Sequence, residues 1–510
     1  MRCALRPERS AHQTQNKYTL ESVRMTTLDL SFIGIYLAAM LAIGLYANRK
    51  DKGTENYYVG GRKQNSVTIM CLWVSCWIGG ASVIGTSTKG YDMGITAVWY
   101  VGMTAVGCLL FSLLLSEKIK RIGDKLQHIT YPEFIESRYD GRARLVATVC
   151  TLLGMIGVTA SQLVAAGEIL NTLTNLGIGS SFLIASAILI AYTALGGFMA
   201  VVYTDWVQVG LLVLGILIGV PFAAKATGGI GAVRALPASF FDLGAWGWPT
   251  IIAFAVSTVL SFFTTMDSYT RCISAKTPAV ARRGGVLAAL LIIPLAFCST
   301  YEGMATRLLI PELPEGTNAM TNLILLTFPT GVKGIVIVGI LAAIMSSGDV
   351  AIITGSANIT RDIYQRYIKP DASERSLSRL SIAASAAIGI ISALIAWFMQ
   401  DILNILFITL TILSAGLFFP TMMGFIWKRG NSHAAFYSIL FSTITVIGWY
   451  ICKSIGLGGV FDIDCLWPGL LVSGAIYFLV SVFGKQSEEE TRRIEEFLSI
   501  GKTQKESTEA

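Results

Sequence analysis

The sequence predicts an all-α integral membrane protein with about thirteen transmembrane helices. Of its 510 residues, 53% are hydrophobic and only 14% are charged, whereas about 25% of residues are charged in soluble domains. The apolar residues also form runs of about 20, and a helix of that length crosses about 30 Å of hydrocarbon. The basic residues lie between these runs and not along one face, so the sequence gives no indication of nucleic-acid binding.

The predicted spans are apolar runs bounded by charged and turn residues. They lie near residues 28–46, 67–88, 93–116, 145–171, 181–198, 203–224, 249–266, 284–305, 331–357, 377–398, 402–427, 434–452 and 465–484. Lys and Arg concentrate in the loops after spans 1, 3, 7, 9 and 11, which are therefore predicted to be cytoplasmic. The N-terminus is then outside and the C-terminus is in the cytoplasm of a multi-pass protein of the plasma (cell inner) membrane.

The two ends of the chain differ from the predicted transmembrane domain, residues 25–484. Residues 1–24 contain five basic residues that would have to cross the membrane, so we interpret them as a non-native or disordered extension and expect translation to start at Met25. Residues 485–510 form a cytoplasmic tail with charges at helical spacing, interpreted as a solvated helix and not as a partner-binding motif. One side of that helix is apolar and consists of Ile494, Phe497 and Leu498.

Cysteine and histidine give no indication of an enzyme or of a transition-metal site. The nine cysteines form no CxxC pair and lie mostly in apolar segments. Cys452 and Cys465 flank a predicted extracytoplasmic loop and are the one pair that could form a disulfide, although free thiols are the alternative. The three histidines all lie in polar stretches.

Span 2 contains a predicted helix break. The segment from Leu72 to Ser82 includes the pair Gly79-Gly80, where unwinding would free carbonyl oxygens to coordinate a cation. The alternative is that the glycines only allow close packing of helices.

Span 9 carries polar groups at membrane depth. Ser346, Ser347 and Asp349 follow each other closely in an otherwise apolar helix, and such hard oxygen ligands suit Na⁺. A single serine could instead bond to its own helix backbone. A carboxylate within the membrane costs ~3 kcal/mol on insertion scales, so Asp349 is predicted to be functional, with a buried structural ion pair as the alternative.

Span 7 passes into a second polar interruption, between Phe262 and Arg271. Irregular segments in spans 2 and 7 are what an inverted repeat of spans 2–6 and 7–11 would produce, with substrate and ion bound between the two repeats. No similarity between the two halves of the sequence supports the repeat independently.

Four segments resemble one transporter family. The stretch from Tyr192 to Gln208, YTALGGFMAVVYTDWVQ, closely resembles the signature of the sodium:solute symporters, which include sodium/glucose, proline, pantothenate and choline transporters. The likeness continues through Trp77–Gly80, Ala342–Ser347 and Ile359–Tyr364 and covers roughly residues 28–430, with the choline branch nearest. The resemblance implies a leucine-transporter-like 5+5 fold and Na⁺-driven alternating access without an organic cofactor.

The resemblance also implies ion ligands. The main Na⁺ site would use the backbone carbonyls of Ser75, Ile78 and Ala343 and the hydroxyls of Ser346 and Ser347. Some family members hold a further Na⁺ with the aspartate that matches Asp205 and with hydroxyls after the serine pair. In this chain those later positions are Asp349 and Val350, and Asp205 could instead cap a helix that begins at Trp206.

The substrate is predicted to be a small cationic or zwitterionic organic solute, such as an amine, a betaine or an amino acid. Trp77 could supply a cation-π face and Asp349 a countercharge, while the position expected to be aromatic in span 7 is Thr265. The remaining predicted substrate-binding residues are Ser82, Gln162 and Tyr269. The alternatives are a symporter for a carboxylate, vitamin or sugar and, in a different class, a channel or a membrane sensor. Span 11 lacks the Asn or Gln array that would recognise the hydroxyls of a sugar.

Overall fold

The computed structural model describes residues 26–50, 59–174, 176–399 and 401–501, with the backbone alone at residues 37, 40, 41, 43–50, 192 and 194–203. Met25 and the predicted extension before it lie outside the described residues. The described part of the chain is helical and contains no β-structure beyond one isolated bridge between Gln64 and Ala275.

The described residues form eighteen α-helices. They are α1 (Thr27–Lys50), α2 (Ser66–Trp77), α3 (Gly80–Met93), α4 (Val98–Leu114), α5 (Ser116–Lys125), α6 (Tyr131–Arg138), α7 (Gly141–Thr174), α8 (Ile178–Thr227), α9 (Trp248–Ser261), α10 (Met266–Ser274), α11 (Pro278–Leu309), α12 (Ala319–Thr327), α13 (Val332–Ala357), α14 (Glu374–Phe398), α15 (Ile402–Ile426), α16 (Ser432–Ser454), α17 (Leu466–Phe483) and α18 (Glu488–Gly501). A π-helix, Asn358–Ile368, continues α13.

The apolar helices coincide with the predicted spans. Within the described residues, ten helical segments are long and apolar enough to cross a membrane, and three shorter apolar helices cover Thr27–Tyr36, Ser66–Trp77 and Ile178–Ala191. The multi-pass architecture is therefore confirmed, while the count of thirteen spans stays a prediction. The predicted boundary between spans 5 and 6 is wrong, because α8 runs through it as one helix. The residues between these two spans, Met199 to Val202, include neither proline nor glycine to stop a helix.

Both predicted helix breaks are present. α2 ends at Trp77, Ile78 leaves the helical region with φ −107° and ψ 55°, and α3 starts again at Gly80. α9 ends at Ser261, and α10 starts at Met266 after a turn. Span 7 is thus longer than predicted, because its helix resumes at Met266 after the break and ends at Ser274.

The two broken helices lie side by side. The rings of Trp77 and Phe262 stack with centroids 3.7 Å apart, and those of Trp73 and Phe262 stack at 5.8 Å. On the same pair of helices, the bridge between Gln64 and Ala275 joins the segment before α2 to the end of α10. The unwound segments are therefore brought together in one region.

The tail helix α18 packs on the body of the protein. Ile494 and Phe497 are only 1% and 2% exposed, and the ring of Phe497 lies 5.6 Å from that of Phe425. Glu490 also accepts hydrogen bonds of 2.6 Å from the backbone and the hydroxyl of Ser432. The predicted helix is present, but its apolar side is buried, so the interpretation as a fully solvated helix is wrong.

The thiols of Cys452 and Cys465 are both free in the structure. Cys465 is buried in a small apolar cluster with Leu466 and Val446. The free-thiol alternative is therefore the one observed.

Candidate functional site

The break between α2 and α3 lies against α13. The hydroxyl of Ser347 donates a 2.6 Å hydrogen bond to the carbonyl oxygen of Ser75. The hydroxyl of Ser346 donates to the carbonyl oxygen of Ala343 at 3.0 Å and approaches that of Ser75 at 3.4 Å. Two carbonyl oxygens and two hydroxyls thus converge where the helix is unwound.

The fifth predicted ion ligand, Ile78, is the unwound residue itself. A Cβ atom on the adjacent Gly79 would lie 2.2 Å from Oγ of Ser347, so only glycine lets the break approach α13 this closely. All five predicted ligands are buried, with at most 1% of each exposed. Within the described residues no group of three His, Cys, Asp or Glu side chains could hold a metal ion. The donors are uncharged oxygens, and these fit Na⁺.

Asp205 lies next to this oxygen cluster. Its Oδ2 accepts a 2.6 Å hydrogen bond from the hydroxyl of Ser75, and the residue is fully buried. Because α8 continues unbroken from Ile178 to Thr227, Asp205 is not at a helix start. The interpretation of Asp205 as a cap of a helix beginning at Trp206 is therefore wrong.

A cavity adjoins the two helix breaks and contains three of the predicted substrate-binding residues, Trp77, Ser82 and Gln162. Its volume is about 50 Å³ in this conformation. One face of Trp77 is covered by Phe262. Tyr100 and Phe254, which stack on each other at 5.0 Å, also line the cavity. The aromatic surface is thus larger than the sequence indicated.

The first turns of α3 and α10 border this cavity. Ser82 of α3 and both Thr265 and Asp267 at the start of α10 are among its lining residues. Gln162 from α7 accepts a 3.3 Å hydrogen bond from the backbone N–H of Ala81. The backbone N–H groups at a helix start carry partial positive charge, so both breaks present positive ends to the cavity.

The acidic group of the cavity is Asp267. It lies in the first turn of α10, where the helix dipole favours a carboxylate, and accepts a 3.2 Å hydrogen bond from Thr354. Nη1 of Arg271 lies 3.8 Å from its Oδ1. Arg271 is fully buried and donates from Nε to the carbonyl of Leu72, while Nη1 and Nη2 have no hydrogen-bond partner among the described residues.

The structure places Asp349 away from the cavity. Its carboxylate accepts a hydrogen bond from the hydroxyl of Thr193 on α8 and is 1% exposed. At ~100° per residue, two positions along a helix turn a side chain ~200° from its start, so Asp349 lies on the face opposite Ser347. The structure therefore does not place Asp349 among the residues that line this cavity, and its role in substrate binding stays an untested prediction.

Tyr269 also lies away from the cavity. It is two residues beyond Asp267 on α10, so its side chain is on the opposite face of that helix. Its ring packs edge-on against Tyr131 and Phe134, at 4.8 and 5.0 Å, and its hydroxyl donates to the carbonyl of Phe263 at 3.2 Å. It is fully buried and does not line the cavity. Its role in substrate binding stays a prediction that this cavity does not support.

Among the lining residues that the sequence analysis missed, three bear on the chemistry of the cavity: Asp267, Tyr100 and Phe254. Asp267 is a carboxylate in a predicted break, and the argument applied to Asp349 would have identified it. Tyr100 and Phe254 lie in apolar spans at no distinctive spacing, so no local signal marks them.

The fold and the site together define a Na⁺-coupled secondary transporter, and comparisons with known proteins give its family. The family model of the sodium:solute symporters matches residues 57–442. The chain therefore belongs to the sodium:solute symporter family. Its relatives are transporters and not enzymes.

Two relatives and one solved structure illustrate the likeness. The sodium/glucose cotransporter of Vibrio parahaemolyticus is 26% identical over 82% of this chain and 84% of its own length. The high-affinity choline transporter 1 of Caenorhabditis elegans is 23% identical over 80% and 75%. These identities do not favour the choline branch.

The outward-open, substrate-bound structure of a Na⁺-coupled sialic acid symporter superposes with a TM-score of 0.76 and 21% identity. The match covers 91% of this chain and 99% of that one, which confirms the leucine-transporter-like fold.

Proposed function

We propose that this symporter carries a small zwitterionic solute, such as an amino acid or a betaine, into the cell with Na⁺. Membership of the family makes it a Na⁺-coupled transporter of a small organic solute. The observation behind the choice of substrate is that one cavity combines a single carboxylate, an aromatic face and a helix start. A zwitterion has a complementary group for each.

The positive group of the solute would lie between Asp267 and the open face of Trp77. A cation over an indole ring gains ~2 kcal/mol or more where water is excluded. Asp267 is itself close to Arg271, so this part of the cavity is not strongly negative. A solute with no net charge then fits better than a purely cationic one.

The negative group would lie at the start of α3. The start of α10 already has Asp267 in its first turn, whereas the first turn of α3 contains no acidic residue. The hydrogen bond from Ala81 to Gln162 is long, at 3.3 Å, so a carboxylate could compete for that N–H group. Half-helix starts that face a cavity at membrane depth typically hold anionic groups of substrates.

Coupling follows from shared backbone. Na⁺ would bind the carbonyls of Ser75, Ile78 and Ala343 and the hydroxyls of Ser346 and Ser347, and these hydroxyls would turn their lone pairs to the ion. Binding then fixes the unwound residues that set the position of the start of α3. The substrate contacts depend on that position, so each ligand strengthens binding of the other. Asp205 is proposed to hold a second Na⁺ beside Ser75.

The test is a thermal-shift series on the purified protein, because ligands that bind the folded state raise its stability. Amino acids, betaines, amines, carboxylates and sugars are compared in NaCl and in KCl. We expect the midpoint to rise with zwitterions, and only in NaCl. Stabilisation by carboxylates or sugars alone would overturn the substrate assignment.

A matched pair of variants tests the position of the charge. Asp267→Asn should abolish the shift caused by the zwitterion that stabilises the wild type, whereas Asp349→Asn should keep it. The midpoint without solute reports whether each variant folds. Should Asp267→Asn be unfolded, Ser82→Ala, at the start of α3, is the second variant and should weaken the same shift. An undiminished shift in a folded Asp267→Asn protein would contradict the role of Asp267.

A further inference from the structure

A further buried carboxyl group, that of Glu302, does not line the cavity at the helix breaks. Glu302 lies in α11, about two turns before the helix ends at Leu309. It is fully buried, and neither of its carboxyl oxygens has a hydrogen-bond partner among the described residues. The hydroxyl of Thr306, one turn further on, donates instead to the backbone carbonyl of Glu302 at 2.7 Å.

The carboxyl group lies directly against the backbone of α8. A Cβ atom on Gly219 would be 1.9 Å from Oε1 of Glu302, so the glycine makes the space that the carboxyl group occupies. The adjoining residues Met304 and Ala305 of α11 and Ala223 of α8 belong to one apolar cluster. The side of Glu302 that faces this cluster is thus apolar and offers little that could stabilise a negative charge.

The ionisable groups near Glu302 do not supply a positive charge that would stabilise its carboxylate. The Cys298 thiol lies one turn before Glu302 on the same helix. Ionisable groups also lie near the C-terminal ends of the helices that pack against α11. They are Lys89, Tyr91 and Asp92 of α3, Lys225 of α8 and Arg234 of the 3₁₀ turn that follows α8. Asp92, Lys225 and Arg234 are exposed, and Lys89 lies over the ring of Trp246 at 5.0 Å.

An ionised carboxylate without a partner in such a place would cost several kcal/mol. We propose that Glu302 is a proton-binding site of this symporter, occupied in the present conformation. The carboxylate takes up one proton and becomes a neutral carboxylic acid. When α8 and α11 separate and water enters, the acid can release that proton. The transport cycle would then respond to H⁺ as well as to Na⁺, independently of which solute is carried.

Infrared spectroscopy tests the protonation directly. Full-length wild type and Glu302→Gln are compared in lipid nanodiscs at neutral pH, with Glu312→Gln as control, because Glu312 is an exposed carboxyl ten residues further on. We expect the wild type to show a C=O band of a protonated carboxyl that is lost in Glu302→Gln and kept in Glu312→Gln. Identical spectra of wild type and Glu302→Gln would overturn the proposal.

A second measurement uses stability. The folded state would hold a proton that the unfolded chain releases, so Glu302 should contribute a decline to the thermal midpoint of the wild type as the pH rises from about 5 to about 8. In Glu302→Gln this decline should be smaller, and in Glu312→Gln it should equal that of the wild type. An unchanged decline in Glu302→Gln would contradict the proposal. If Glu302→Gln does not fold, Glu302→Asp is compared instead and should shift the infrared band. An unchanged band position in Glu302→Asp would also overturn the proposal. Neither measurement requires a substrate, so failure here leaves the proposed function untouched.

Discussion

The hydroxyl of Ser75 donates a 2.6 Å hydrogen bond to the carboxylate of Asp205, while the carbonyl oxygen of the same residue accepts a 2.6 Å hydrogen bond from Ser347. Ser75 therefore joins α8 to α13 through the unwound end of α2. A cation bound at the carbonyl oxygen of Ser75 would therefore lie close to the buried carboxyl group of Asp205, which contacts the hydroxyl of the same residue. This arrangement explains why ion binding should be sensitive to changes on three helices.

Ser347→Ala and Ser346→Ala should each weaken activation of uptake by Na⁺ about tenfold, which corresponds to ~1.4 kcal/mol for a lost ligand. The measurement is uptake, or thermal shift, as a function of NaCl concentration. Ser392→Ala is the control, since Ser392 is an equally buried serine that donates at 2.9 Å to the carbonyl of Ile156. Unchanged Na⁺ activation in both test variants would contradict the site.

Gly79→Ala should block ion binding more strongly than loss of either hydroxyl. Its methyl group would lie 2.2 Å from Oγ of Ser347, so the break could not stay against α13. Gly102→Ala is the matched control, because a Cβ atom there meets nothing within 4 Å. We expect Gly102→Ala to be as active as the wild type and Gly79→Ala to bind Na⁺ only at greatly raised concentrations. Normal Na⁺ dependence of Gly79→Ala would show that the break is not the binding site.

Asp205→Asn should reduce the Na⁺ Hill coefficient if Asp205 holds a second ion. The amide keeps the size of the side chain and can still accept the hydrogen bond from Ser75, but it removes the negative charge. Solute affinity at saturating Na⁺ should change little, because Asp205 does not line the cavity. A wild-type Hill coefficient in this variant would leave a single Na⁺ site.

Asp349→Asn should leave solute affinity at saturating Na⁺ near that of the wild type. The carboxylate accepts a hydrogen bond from Thr193 and ties α13 to α8, so the change should lower the thermal midpoint instead. Binding assays and thermal unfolding of the same preparation separate the two effects. A large loss of affinity in a stable Asp349→Asn protein would restore the role that the sequence predicted.

In a buried charge cluster at the predicted cytoplasmic side, loss of the one arginine should lower stability more than loss of one of its carboxylates. Arg144 bonds to Asp362 at 2.6 Å and also pairs with Glu136 and Glu133. Arg144→Met leaves Asp362 and Glu133 without an ion pair and Glu136 with Arg366 alone, and it should cost ~3 kcal/mol or more. Asp362→Asn leaves Arg144 with two partners and should cost less. Thermal midpoints of the two variants test the order, and a more stable Arg144→Met protein would contradict it.

The same cluster predicts sensitivity to acid. Burial alone would raise the pKa of Glu136, but its hydrogen bonds to Arg144 and Arg366 and their positive charges hold it below its ordinary value. A carboxylate with a lowered pKa stabilises the folded state at neutral pH, and this stabilisation is lost as the pH falls. Arg144→Met should therefore lose less stability on acidification than the wild type, as thermal midpoints at about pH 4 and pH 7 would show.

The sequence by itself determined the membrane class, the positions of the apolar helices and the two helix breaks. These features are local, because apolar length, adjacent glycines and clustered hydroxyls act on the segment that contains them. The motif resemblance added the family and a set of five ion ligands. The structure brings these five residues to one place, since the ligands lie in short segments that the fold packs together.

Only the tertiary structure decided which side chains face the cavity. Asp349 was predicted to face the substrate as a carboxylate at membrane depth, and Tyr269 was predicted beside it. Each lies two residues beyond a group of the site, Ser347 and Asp267, and so lies on the opposite face of its helix. Conversely, Tyr100, Phe254 and Asp267 come from three helices and meet only because those helices pack around the breaks. Direction around a helix and the approach of distant helices depend on packing, which no single segment of the sequence encodes.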